Sequence, residues 1–125
     1  MSSPSNLAPT ATAIFTYEVP AKMRRQVLGM EVQTISVGEL SAMDELRCAQ
    51  NARGDATVLA FNLAMASLRA VNGKPVSPAD GSQEKVWSDL GPKLRNLVMA
   101  AYSEINNADR EVSEDFLKSR RVTVA

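Results

Sequence analysis

Residues 55–76 read DATVLAFNLAMASLRAVNGKPV, and the way this stretch divides into elements decides the fold. Residues 56–71 are the most apolar run in the chain, with Leu59, Leu63, Val58 and Met65 spread around a helical cylinder. The pattern predicts one helix over 56–71 that is central, or that meets a partner on its second face. Asn72-Gly73 is a strong turn signal. Pro75 then holds Lys74 in an extended state as the chain leaves the turn.

Toward the N-terminus, Arg53-Gly54-Asp55 reads as a helix stop followed by a new cap: Gly allows a left-handed exit and Asp accepts from the next free amides. Ser41-Ala42-Met43-Asp44 has the form of a capping box with Asp in the place of Glu or Gln. It opens a helix that runs to about Ala52, with Met43, Leu46 and Ala49 or Gln50 as its apolar stripe. Residues 27–37 are rich in β-branched side chains and predict a strand, Val32 and Ser36 on one face and Ile35 and Val37 on the other. Residues 13–19 alternate cleanly, Phe15, Tyr17 and Val19 against Thr16 and Glu18, which predicts a half-buried strand ending at Pro20. Lys22, Arg24 and Arg25 form a basic turn between the two strands. The opening residues, MSSPSNLAPT, lack periodicity, so 1–12 reads as a flexible arm.

Toward the C-terminus, Ser82 is placed to cap a short helix over 83–90 that carries Val86 and Trp87. Gly91-Pro92 sets proline at a helix start, where its missing N–H costs nothing. Leu94, Leu97, Val98, Ala101, Tyr102 and Ile105 then follow helical spacing, and Asn106-Asn107 ends that helix. Ser113 caps a last short helix with Phe116 and Leu117, Val112 acting as its staple. The expectation is an α+β, mostly helical fold, with a small N-terminal β-region packed on a bundle of four to five helices. Residues 13–125 make one domain behind the arm.

Composition excludes more than it assigns. The chain has 125 residues, 14 basic and 14 acidic side chains, and no histidine. A zero net charge gives no long-range field toward nucleic acid or an anionic membrane, so neither is an expected partner. Without histidine the commonest general base and metal ligand are missing. The lone Cys48 permits neither an internal disulfide nor a cysteine-rich zinc site. Acidic neighbours (Asp44 with Glu45; Glu111 with Glu114 and Asp115) sit where helix starts favour carboxylates anyway. Arg24-Arg25 and Arg120-Arg121 are isolated pairs without interleaved aromatics. No basic-then-apolar leader is evident at the N-terminus, and the apolar run is too short to span a bilayer, so a cytoplasmic, soluble protein is expected. No residue pattern supports an enzyme, a metal or a cofactor.

Several of these phrases, taken in order, resemble a known family. Val32-Gln33-Thr34-Ile35-Ser36-Val37-Gly38-Glu39-Leu40-Ser41-Ala42-Met43-Asp44-Glu45 leads into the all-apolar helix. Ala70-Val71-Asn72-Gly73-Lys74-Pro75-Val76, the Trp-bearing helix and the helix 94–105 follow. Glu114-Asp115-Phe116 and a basic-apolar tail close the chain. Residues 32–124 are thereby similar to the tail assembly chaperones of long-tailed bacteriophages.

The resemblance implies a non-catalytic protein of the host cytoplasm that binds and solubilises the long, helical tape measure protein and helps recruit tail tube protein. It also implies that a longer, frameshifted form can extend from about Arg120. The competing expectation is a structural subunit of the tail or baseplate that stays in the particle, and a homo-oligomer is left open. Such a role needs adaptable apolar surface, for which methionine suits. The expected client groove lies between the helices 56–71 and 94–105, lined by Val58, Phe61, Met65, Met99 and Tyr102.

Overall fold

A computed structural model of the chain describes residues 13–107 and 110–120. The arm expected over 1–12 and the tail 121–125 lie outside the described residues. Strand β1 (Ile14–Glu18) pairs antiparallel with β4 (Thr34–Gly38), Phe15 opposite Val37 and Tyr17 opposite Ile35. Between them the chain makes a 3-10 turn (Ala21–Met23) after Pro20, then a small hairpin of β2 (Gln26–Val27) and β3 (Met30–Glu31). The single strand expected over 27–37 is therefore a hairpin followed by a strand. The division falls at Leu28-Gly29, where both residues have positive φ (51° and 79°), as a two-residue hairpin turn requires. Leucine in the first position disguised the turn.

The capping box is present: Asp44 N–H donates to Ser41 Oγ at 3.1 Å, and Ser41 N–H reaches back to the Asp44 carboxylate at 3.4 Å. It starts α1 (Ala42–Ala52), which ends through Arg53 and Gly54, both left-handed. Asp55 Oδ1 then accepts from Thr57 N–H (2.9 Å) and Val58 N–H (3.0 Å), which caps α2 (Ala56–Ser67).

Helix α2 stops at Ser67, and Leu68–Val71 becomes strand β5. This strand pairs with β4 on one side and with β6 (Lys74–Pro75) on the other, giving a four-stranded antiparallel sheet in the order β1-β4-β5-β6. Gln83, itself buried, donates from Nε2 to Ala66 O (3.2 Å) and Leu68 O (3.0 Å), satisfying carbonyls freed where the helix ends. Helix α3 (Ser82–Asn106) is broken at Gly91 (φ 81°, ψ 165°), so its halves meet where Gly91-Pro92 predicted a boundary. Ser82 is the first residue of α3, and Gly81 holds the cap position in its stead. Helix α4 (Arg110–Arg120) follows, and Val112 lies inside it, not before its cap.

The architecture corrects the expected one. The strands are not confined to the N-terminal region, because β5 and β6 come from the middle of the chain. Helices α1, α2 and α3 pack in sequence and α2 and α3 lie against the sheet, so the body is not a bundle of four to five helices. Leu90, Leu94 and Val98, fully buried at i, i+4 and i+8, carry one apolar stripe of α3 through its break and onto Ile35, Val37, Leu68 and Val71.

Candidate functional site

Helix α1 turns its expected apolar stripe outward. Met43 is 63% and Leu46 50% exposed, whereas Cys48 and Ala52 face inward and are buried. Residues three apart share a helix face, and Cys48 and Ala52 lie on the side opposite Met43 and Leu46. The inward face is set by a reciprocal contact with α2: Cys48 Sγ donates to Asn62 O at 3.4 Å, and Asn62 Nδ2 donates to Cys48 O at 3.4 Å. A polar pair therefore fixes the helix hairpin, and the two large apolar side chains are left in solvent.

The five residues expected to form a groove are divided by the structure. Val58 (40%) and Phe61 (44%) stand exposed on α2. The Phe61 ring meets Trp87 edge-on, with centroids 6.2 Å apart, and Trp87 anchors the first half of α3 into the core. Met65, Met99 and Tyr102 are partly buried and pack against the core, and Met65 also lines a cleft of about 190 Å³ between α1 and α2. The sequence marks Met43 and Leu46 as the apolar stripe of this helix, and neither was among the residues expected to line the client groove. Their i, i+3 spacing was visible but gave no sign of which way the stripe faces, since Cys48 and Ala52 offer an equally regular, smaller stripe. On α4, Val112 (63%), Phe116 (56%) and Leu117 (64%) add further exposed apolar surface.

The ionisable groups in this region are tuned by burial. Desolvation raises the Cys48 thiol above its ordinary value, with Asp44 adding to the rise. Burial likewise raises Tyr102, with Glu45 of α1 contributing next. Both shifts favour the neutral form, so Cys48 lacks the thiolate character of a reactive cysteine. Two arginines are structural: near the α3 break Arg95 Nη1 donates to Trp87 O (3.3 Å) and Ser88 O (3.2 Å), and beyond the end of β1 Arg24 Nε donates to Val19 O (3.0 Å). Among the described residues no three metal-ligating side chains converge, and no helix is long and apolar enough to cross a membrane. Large apolar side chains are thus exposed on α1 (Met43, Leu46) and on α2 (Val58, Phe61). Comparison with family models, with curated proteins and with solved structures finds no match to the chain.

Proposed function

We propose that this protein is a tail assembly chaperone of a long-tailed bacteriophage, a non-catalytic binding protein acting in the host cytoplasm. Its client is the tape measure protein, and it helps bring tail tube protein to the coated client. The observation that carries the reading is the outward apolar stripe of α1, Met43 and Leu46; Val58 and Phe61 of α2 are exposed as well. An amphipathic client helix presents apolar anchors every three to four residues and is held by apolar side chains on a helical surface. Methionine lets such a surface repack around successive, non-identical client segments. The order of sequence phrases over residues 32–124 supports the same reading.

Of the five residues first assigned to the client, Val58 and Phe61 are the accessible ones. Met65, Met99 and Tyr102 hold the helices against the core and contribute indirectly. The test is co-expression with the phage's tape measure protein. Wild-type protein is expected to keep it soluble, and Leu46→Asp, on a solvent-facing position, is expected to fold normally and fail to do so. Mass spectrometry of purified particles separates this reading from a structural tail subunit, which would be present in stoichiometric amount.

A further inference from the structure

Strand β1 is an edge of the four-stranded sheet, and its hydrogen-bonding pattern fixes which of its backbone groups are open. Glu39 N–H donates to Ala13 O, and Val19 N–H donates to Gln33 O. Hydrogen-bonded pairs in an antiparallel ladder fall on alternate residues, so Phe15 and Tyr17 bond inward to β4. Ile14, Thr16 and Glu18 therefore direct their N–H and C=O groups away from the sheet. The side-chain contact Thr16 Oγ1 to Ser36 Oγ (2.9 Å) marks Thr16–Ser36 as a close, non-hydrogen-bonded pair, as this alternation requires. Among the described residues no strand lies beyond β1. Of the usual protections the edge carries only the charge of Glu18 at its end: no Lys, Pro or bulge interrupts Ile14–Glu18, while Ile14 (58%) and Phe15 (47%) are exposed.

We propose that β1 pairs antiparallel with β1 of a second copy of this chain, about a two-fold axis at Thr16, joining the two sheets into one. The open backbone groups allow hydrogen-bonded pairing only among Ile14, Thr16 and Glu18. In the register centred on Thr16, Ile14 faces the second copy's Glu18, Thr16 faces itself, and Phe15 falls opposite the second copy's Tyr17 in the closer, non-hydrogen-bonded position. Moving the axis to Tyr17 sets Thr16 opposite the second copy's Glu18 and leaves Ile14 opposite Pro20, which has no N–H to give. Moving it to Phe15 pairs only Ile14 with Thr16 and leaves Glu18 outside the ladder. The Thr16-centred register is the one that uses all three open positions of the strand.

Sedimentation velocity of the full chain over a concentration series, without any client, tests the proposal. Wild-type protein is expected to dimerise reversibly. Thr16→Lys, which sets two ammonium groups across the axis, raises the dissociation constant roughly tenfold or more. Ile14→Lys, placed across from the second copy's Glu18, leaves the dimer as tight or tightens it. Independently of those variants, Thr16→Cys is expected to form a disulfide-linked dimer on mild oxidation, and Phe15→Cys is not. A wild-type chain that stays monomeric at every concentration would overturn the proposal. A dimer weakened equally by both lysines would overturn the register, and a dimer indifferent to both lysines and to the cysteines would overturn the edge.

Discussion

Asn72 does more for this fold than its place in a turn suggests. Its backbone is left-handed (φ 52°), its Oδ1 accepts from Gln33 N–H (2.7 Å) and Thr34 N–H (3.1 Å), and its Nδ2 donates to Glu31 O (2.7 Å). One side chain thus ties the β5–β6 turn to the chain between β3 and β4. Asn72→Ala loses these bonds and gains a left-handed alanine, so urea unfolding should show a loss of about 2–3 kcal/mol. Leu28 is the converse case, an exposed leucine held at φ 51°. Leu28→Asn should raise stability by about 0.5–1 kcal/mol, read as a higher urea midpoint at unchanged slope.

The alkaline limb of stability belongs to this scale too. The thiol and phenol of Cys48 and Tyr102 are both raised above their ordinary values of 9.0 and 10.0. Below those values both states are protonated and stability is flat. Above them the unfolded chain releases its protons first, so stability falls as pH rises toward the folded values. Cys48→Ala should flatten the first part of that fall when unfolding free energy is measured from about pH 8 to 11.

At the scale of elements, capping chemistry was legible at Ser41 and Asp55 but not at Ser82 and Ser113, which lie inside their helices, and the ends of apolar runs were not legible. Ser41, Asp44, Asp55, Gly91 and the Asn72-Gly73 turn act where their chemistry placed them, because each is a local signal. Helix α2 was over-extended to 71 for a specific reason. The ladder of β4 and β5 shifts between Ser36 and Val37, so Val37 faces Leu68 while Ser36 faces Ala70, and Arg69 is the extra residue of a bulge. The bulge lets Leu68 and Val71, three apart, both reach the core, and that spacing is indistinguishable in sequence from one helical face. The direction of the α1 stripe was illegible for a related reason, since only the Cys48–Asn62 contact with a later helix decides it.

The break in α3 is testable in the same terms. A Cβ at Gly91 would run into the guanidinium of Arg25, which lies against it, and a side chain at φ 81° is strained in any case. Gly91→Ala should cost about 1–3 kcal/mol in thermal unfolding, and adding Arg25→Ala should recover only the steric part.

For the whole molecule, the sheet buries one face under α2 and α3, α1 is fastened outside α2, and large apolar side chains of α1 and α2 are left in solvent. Met43, Leu46, Val58 and Phe61 fit a protein whose second apolar partner arrives from outside. Because Leu46 carries little of the core, Leu46→Asp should change the unfolding free energy by no more than about 1 kcal/mol, whereas Phe61→Asp also loses the edge-on contact with Trp87 and should cost more. Met65→Asp, set partly into the core, should cost clearly more. The proposed client binding is tested by the soluble yield of the tape measure protein when it is co-expressed with wild-type chain, with Leu46→Asp, or alone. A soluble complex is expected with the wild type, and an insoluble client in the other two cases. A client that stays insoluble beside wild-type protein, or that is rescued equally well by Leu46→Asp, would contradict the proposal.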